Sequence, residues 1–220
     1  RNFKEELDIP VGAANRLEPG PPDQGQPTHF LPRRQHGVFG ITVPKDFGTR
    51  KLTWTLSAGG DTTSIPGSLS PPWEINALKE STAGNTPPVL KFDPRGPAGQ
   101  GPLGITTTLD VRQPGPATLS VWATDDGGVS LQQSGRAPRL ALTWSKYRGP
   151  GTVTFANPKP PVGQDDRATT TATFSAPGQY VLRVLANDYS GTGGGGTQCC
   201  WTNGYVKVSV IGSASAQNHP

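Results

Sequence analysis

The chain has few of the residues on which most enzyme and metal sites depend. Its 220 residues include no methionine, three histidines and two cysteines. The histidines are His29, His36 and His219, all outside the strand-rich part of the sequence, so no His-centred triad or metal cluster is suggested there. The glycine run at 193–196 lacks the Lys-Ser/Thr pair and the helix of a phosphate-binding loop. We therefore expect a protein that is not an enzyme.

Long apolar runs and dense charge are also missing. No stretch approaches the roughly 18 consecutive apolar residues of a membrane span. The net charge is +4, and the 20 basic residues are scattered apart from the LPRRQH stretch at 31–36. This single short stretch does not indicate a nucleic-acid surface. We expect a chain that neither crosses a membrane nor binds nucleic acid.

Glycine and proline are abundant, with 29 and 24 residues, and no amphipathic helix longer than a couple of turns is visible. Short blocks rich in Val, Thr, Leu and Trp recur between Gly/Pro clusters, a pattern typical of an all-β protein with many turns. The lack of methionine, the start at Arg1 and the Thr-rich strands favour an exported protein, located in the periplasm, at the cell surface or outside the cell.

The composition shifts along the chain predict four segments. Residues 1–36 form an extended Pro-rich arm, because proline cannot donate the hydrogen bonds of a central strand. A small β-rich domain follows at 37–84, with strands at 37–44 and 51–58. Residues 85–212 form a larger β domain, and 213–220 are a polar tail. The small domain offers only three or four strands, so its core is expected to be completed by the second domain or by another chain.

The larger β domain shows its strands clearly. Seven short strands at spacings of roughly 8 to 15 residues indicate a Greek-key sandwich. They lie in the segments 85–92, 104–111, 117–128, 139–158, 168–188 and 205–211.

Several sequence blocks in this domain carry a family resemblance. The blocks TDDGG, LTWSKYRGPGTVTFANP, TTTATFSAPGQYVLRVLANDYSG and GYVKVSV resemble, in order, the PKD-like, immunoglobulin-like β-sandwich modules of bacterial secreted and cell-surface proteins. The resemblance covers about residues 86–212. It implies an immunoglobulin-like (PKD-like) sandwich that serves as a non-catalytic spacer or interaction domain, and it does not identify a partner.

Three aromatic residues are expected in the cores. On the sandwich that the resemblance implies, Trp144 lies on the third strand facing the opposite sheet, and Tyr180 fills the corner before the sixth strand. In the small β domain, the alternation in KLTWTLSA places Trp54 on the core-facing side. Large aromatics dominate such interiors, so all three are expected to pack rather than to bind a ligand.

A candidate calcium site follows from the same topology. The loops after the second and sixth strands lie at the same end of the sandwich, which brings Asp125, Asp126, Asn187 and Asp188 into one neighbourhood. Calcium takes six to eight oxygen ligands, and four side chains plus backbone carbonyls would suit it. The alternative is that these residues form turns by bonding their own backbone.

The two cysteines, Cys199 and Cys200, are adjacent and lead into the last strand. An intramolecular disulfide can only be vicinal, and neighbouring Cα atoms lie about 3.8 Å apart, below the usual separation of roughly 4.4 to 6.8 Å. Three states remain open: two reduced thiols, a vicinal bridge that stiffens the loop, and a link to another chain. A zinc or redox role lacks both further ligands and a spacer between the thiols.

The leading functional hypothesis is a non-catalytic, exported structural or accessory subunit that acts through protein–protein contacts in a cell-envelope complex or extracellular assembly. Self-association through the N-terminal arm is one such contact, since sandwich proteins often add a strand to a neighbour. The alternatives are the spacer domain of an adhesin and a carbohydrate- or surface-binding module. In that module Trp73, Tyr147, Tyr189 or Trp201 would stack on sugar rings.

Overall fold

The computed structural model describes residues 3–32, 39–69, 86–126, 140–188 and 200–212, and the regular structure within these ranges is β-strand. The chain forms two compact units, Arg1–Asn76 (unit 1) and Ala77–Pro220 (unit 2). The division falls eight residues before the boundary expected at 84, within a segment outside the described residues. The all-β class expected from the sequence is confirmed.

Unit 1 contains two small sheets built from short strands. One sheet pairs β1 with β3 antiparallel, and the other has three strands in the order β2-β4-β5. Residues 39–44, part of an expected strand, belong to no strand. The strands are β1 (Leu7–Asp8), β2 (Asn15–Glu18), β3 (His29–Phe30), β4 (Leu52–Ala58) and β5 (Asp61–Gly67).

The segment expected to be an extended arm is an integral part of unit 1. Its strand β2 pairs antiparallel with β4 from Asn15↔Leu56 to Glu18↔Thr53. Ile9 and Phe30 form a small apolar core with Leu56, against which the half-buried Trp54 packs. The core of unit 1 therefore includes side chains from this N-terminal segment.

A two-residue hairpin joins β4 to β5. Gly59 and Gly60 have φ angles of 58° and 79°, and two consecutive residues with positive φ are characteristic of the type I′ turn that matches the twist of a hairpin. The register is regular from Ala58↔Asp61 to Leu52↔Gly67. The turn therefore fixes which backbone groups of β5 face β4 and which face away from it.

Unit 2 is a sandwich of two sheets with immunoglobulin-like strand order. A five-stranded sheet, β11-β12-β9-β6-β7, packs on a four-stranded sheet, β10-β13-β14-β8, in which β14 and β8 are parallel. The strands are β6 (Val89–Lys91), β7 (Gly99–Gln100), β8 (Ile105–Arg112), β9 (Ala117–Thr124), β10 (Leu140–Arg148), β11 (Val153–Phe155), β12 (Arg167–Phe174), β13 (Gly178–Asp188) and β14 (Trp201–Ile211).

The core of unit 2 lies between the two sheets. Alternate residues of β9 and β13, such as Val121 and Val184, are fully buried there. Trp144 is also in this core, and its ring stacks on Phe155 with centroids 6.4 Å apart.

Tyr180 forms the corner at the start of β13. It is buried, and its hydroxyl donates a 2.8 Å hydrogen bond to the backbone carbonyl of Ala176. Gly149 packs directly against the ring, because a Cβ at this position would lie 2.0 Å from Tyr180 Cδ1. Its φ of 144° is also one that other residues rarely adopt. The Tyr180 ring therefore requires glycine at this point of the β10–β11 turn.

Candidate functional site

The four residues considered for calcium belong to two different strand ends and have different structural roles. Asp125 and Asp126 follow β9, whereas Asn187 and Asp188 are the last residues of β13. Asp126 Oδ2 accepts hydrogen bonds from the Thr86 amide at 3.1 Å and from the Thr86 hydroxyl at 2.5 Å. No three His, Cys, Asp or Glu side chains within the described ranges are grouped to hold a metal ion. The three aspartates are thus not brought together as such a group.

Cys200 is fully buried and disulfide-bonded. Its carbonyl accepts a 3.3 Å hydrogen bond from the amide of Asp188, which ties the start of β14 to the end of β13. The other cysteine of the chain, Cys199, lies outside the described residues. The vicinal bridge therefore stays a prediction.

The aromatic residues proposed for sugar stacking are not available for it where the structure describes them. Tyr147 and Trp201 are 4% and 3% exposed, and Tyr147 packs edge-to-face on Tyr205 with centroids 5.3 Å apart. Trp73 and Tyr189 lie outside the described residues. A ring buried on both faces cannot stack on a sugar, so Tyr147 and Trp201 are packing residues.

A buried cation occupies the middle of β13. Arg183 is 3% exposed, and its Nε donates a 2.9 Å hydrogen bond to Asn203 Oδ1 on the neighbouring strand β14. Desolvation by burial lowers the pKa of Arg183, while Tyr205 and Tyr147 act in the opposite direction. Burial in turn raises the pKa of Tyr205, and Arg183 opposes that change. These residues form a desolvated polar cluster within unit 2.

A cavity of about 310 Å³ lies on the outer face of the five-stranded sheet. Its floor comes from two neighbouring strands, where Val89 pairs with Thr124 and Lys91 with Trp122. These positions alternate with the core residues Leu90, Val121 and Ala123, so their side chains point away from the sandwich interior. The cavity is lined by Val89, Lys91, Pro94, Trp122, Thr124, Asp165 and Asp166.

Trp122 is held in place beside this cavity by Arg167. The guanidinium lies 5.2 Å from the centroid of the indole ring, a cation–π contact. Arg167 Nη2 also donates a 2.9 Å hydrogen bond to the hydroxyl of Ser120. Trp122 lines the cavity, and Arg167 lies beside it without being one of the lining residues.

A tight turn before β12 places two carboxylates at the cavity. The Gly163 amide donates to the Arg167 carbonyl at 2.8 Å, and the Asp166 carbonyl accepts from the Ala123 amide at 2.9 Å. Asp166 has a φ of 60°, a conformation that Asp and Asn tolerate better than most residues. The turn is therefore fastened to β9, next to Trp122.

Unit 1 presents a different candidate surface, the outer edge of β5. This strand pairs with β4 on one side, and no described strand pairs with its other side. In a two-residue hairpin the residues that flank the turn are a hydrogen-bonded pair, and the pairs then alternate. The N–H and C=O groups of Thr62 and Ser64 therefore point outward, as does the backbone of Pro66, which has no N–H to offer. Ile65 is exposed on the same strand.

Sequence reasoning missed both surfaces, although a signal existed for each. In ATLSVWAT, Trp122 stands between the core residues Val121 and Ala123, so strand alternation alone would have placed it on the outer face. In unit 1, the AGGD turn followed by a strand with proline indicates an edge hairpin. The carboxylates of the 163–167 turn carry no comparable signal, because their position depends on hydrogen bonds to a strand about 40 residues earlier.

The sequence matches no protein-family model and no curated protein. Solved structures similar to the chain include a PKD domain determined in solution, at 18% identity and a TM-score of 0.31, covering 58% of this chain and all of the other. Domains 4–9 of the surface layer protein SbsC match at 16% identity and a TM-score of 0.31, over 77% of this chain and 19% of that one.

The D00-D0 domain of intimin is also similar, at 12% identity and a TM-score of 0.31, over 94% of this chain and 93% of that one. The PKD resemblance expected from the sequence recurs among these structures. At such TM-scores the likenesses carry no argument about function. The immunoglobulin-like assignment of unit 2 rests on its own strand order. Among the described residues, no helix is long and apolar enough to serve as a membrane span.

Proposed function

We propose that this protein is a non-catalytic, exported structural or accessory subunit that assembles by protein–protein contact, and that the contact is made by the outer edge of β5. A second copy of the chain supplies the partner strand. Two such edges pair antiparallel about a twofold axis, which extends the three-stranded sheet of unit 1 across both copies. The cell envelope or an extracellular assembly is the setting in which such a subunit works.

The observation that carries the proposal is the exposed outer edge of β5, with which none of the described strands pairs. Six of its seven residues are exposed, and its single charged residue is Asp61 beside the turn. An open strand edge is a template for another strand, and natural proteins usually blunt long edges with charges, bulges or proline. On β5 these features are Asp61 beside the turn and Pro66 near the far end, and Thr62 and Ser64 between them still present outward donors and acceptors.

The Pro-rich arm is not the associating element in this proposal. Leu17 and Phe30 are buried within unit 1, and β2 already pairs with β4. An arm that carries its own unit's core residues would have to leave that core in order to pair with a neighbour. Addition of a strand to β5 requires no such rearrangement, so it is the less costly route to assembly.

The test replaces Ser64 by proline and measures native mass by light scattering. Proline removes the outward N–H of residue 64 and leaves the inward hydrogen bonds of Thr63 and Ile65 to β4 intact. We expect the wild-type chain to form species larger than the 23.1 kDa monomer, and S64P to shift them to monomer. The matched control is S64A, which loses the 3.1 Å contact between the Ser64 and Thr55 hydroxyls and keeps the N–H.

Three outcomes contradict the proposal. A wild-type chain that is monomeric at all accessible concentrations rules out self-association through this edge. Assemblies that survive in S64P, with the hairpin shown to be intact by amide exchange, place the contact elsewhere. Loss of assembly in both S64P and S64A would trace the effect to the Ser64 hydroxyl instead of the strand edge.

A further inference from the structure

We propose that the cavity on the outer face of the five-stranded sheet binds a neutral saccharide, with a pyranose ring against Trp122 and its hydroxyl groups bonded to the charged side chains around it. The volume of about 310 Å³ is at the lower end of the range of small-molecule sites, which suits one or two sugar rings. This site lies within unit 2 and is independent of the β5 edge.

The indole of Trp122 supplies the stacking surface. An aromatic face carries partial negative charge, and one face of a pyranose ring presents C–H groups of opposite polarity. Arg167 and its hydrogen bond to Ser120 fix the orientation of the indole before any ligand arrives. A ring that is already ordered loses little conformational freedom on binding, which favours affinity.

The rim of the cavity supplies partners for hydroxyl groups. Asp165 Oδ1 already accepts a 3.3 Å hydrogen bond from the Arg167 amide, which orients that carboxylate. The Asp166 side chain is exposed and sits on a turn held by the Ala123 amide. Carboxylates accept strong, charge-assisted hydrogen bonds from hydroxyl groups, and the Lys91 ammonium donates them.

The charges around the cavity indicate that the ligand is uncharged. Two anionic side chains, Asp165 and Asp166, are matched by two cationic ones, Lys91 at the cavity and Arg167 beside it. A site for a phosphate or a uronic acid would carry an excess of positive charge, and a site for a basic peptide an excess of negative charge. Balanced charges with one aromatic face fit a neutral, hydroxyl-rich ring.

The experiment measures binding of the full chain to neutral di- and trisaccharides of glucose, galactose, mannose and N-acetylglucosamine by isothermal titration calorimetry. We expect at least one to bind, and W122A to weaken it about tenfold or more, a change of about 1.4 kcal/mol. D166N should weaken it severalfold while preserving the turn, because Asn tolerates positive φ. The control T118A changes an exposed residue on the same strand outside the cavity.

Several results would overturn the assignment. The proposal fails if no neutral saccharide in the panel binds at millimolar concentration, or if W122A binds as well as the wild-type chain. Binding restricted to sulfated or carboxylated glycans, or to basic peptides, would contradict the charge argument. Should W122A lower the melting temperature, W122F serves in its place, because it keeps an aromatic ring. The double variant D166N W122F should then bind the saccharide more weakly than W122F does.

Discussion

At the scale of single residues, Asn15 holds unit 1 together. Its side chain is fully buried and makes three hydrogen bonds. The Nδ2 group donates to the Ile9 carbonyl at 2.8 Å and to the Pro27 carbonyl at 2.9 Å, while Oδ1 accepts from Trp54 Nε1 at 2.9 Å. One amide therefore joins three segments that are distant in sequence, in a unit whose apolar core is small.

Replacing Asn15 should destabilise unit 1 strongly. N15A leaves the Trp54 N–H and two carbonyls without partners, and each buried unsatisfied group costs about 1 to 3 kcal/mol. We expect a loss of about 3 kcal/mol or more in the free energy of unfolding, measured by urea denaturation with Trp fluorescence.

Two further variants make the Asn15 test specific. N15D keeps the size and the acceptor but places a carboxylate against two carbonyls, so it should be at least as harmful as N15A. S57A removes an exposed 2.8 Å bond to Thr62 in the same sheet and should cost less than about 0.5 kcal/mol. Equal effects of N15A and S57A would show that the buried amide does not stabilise the unit.

Tyr205 should make unit 2 sensitive to alkaline pH. Burial raises its pKa above the ordinary value of 10.0, so the folded chain keeps the phenolic proton to a higher pH than the unfolded chain. Ionisation of Tyr205 leaves the free energy of unfolding unchanged below about pH 10 and lowers it as the pH rises from there through the folded-state pKa. In Y205F, which keeps the ring packed on Tyr147, the decline in the urea midpoint between pH 9 and 11 should be shallower; an unchanged decline contradicts this.

Residue roles were only partly accessible from the sequence. Strand alternation and the family resemblance place Trp144 and Tyr180 inward, because their positions depend on local pattern and fold class. The burial of Tyr147 and Trp201 was not foreseen, since nothing local distinguishes a covered outer-face aromatic from an exposed one. Asn15 resembles any turn-forming Asn in sequence, and its role depends on segments up to 39 residues away.

At the scale of elements, the N-terminal segment matters more for folding than an independent arm would. Deleting residues 1–36 removes β1 to β3 together with the buried side chains of Ile9, Leu17 and Phe30. We expect the remaining β4–β5 hairpin to lose amide protection in hydrogen exchange, because an isolated two-stranded hairpin is marginally stable.

The strands of unit 2 provide an internal reference in the deletion experiment. Their amides should stay protected after the deletion, since the sandwich has its own core. Protection of β4 equal to that in the full chain would instead show that the N-terminal segment is dispensable for unit 1, as an independent arm would be. The deletion thus separates the structural role of this segment from a role in assembly.

Strand positions could be predicted where local alternation decided them. The blocks at 104–111, 117–128, 168–188 and 205–211 correspond closely to β8, β9, β12 with β13, and β14. The expected strand at 37–44 has the same alternation, yet residues 39–44 belong to no strand, so alternation alone does not make a strand. The prolines that argued against strands at 1–36 all lie outside β1, β2 and β3.

At the scale of the whole molecule, the class of unit 2 was accessible and the surfaces that we propose to be functional were not. Regular strand spacing and the ordered sequence blocks were enough to predict an immunoglobulin-like sandwich, and the strand order confirms it. The open edge of β5 and the cavity at Trp122 depend on which strands become neighbours. That information is not contained in any one stretch of sequence.

The parallel pairing of β8 with β14 has a mechanical consequence. The two strands run side by side from Ile105↔Gly204 to Arg112↔Ile211. Tension that reaches β8 through its first residue and β14 through its last acts along the two strands in opposite directions. The hydrogen bonds between them are then loaded in shear and must break together. A chain that carries tension between its neighbours would resist extension at this pair, because hydrogen bonds loaded in shear break together and not one after another.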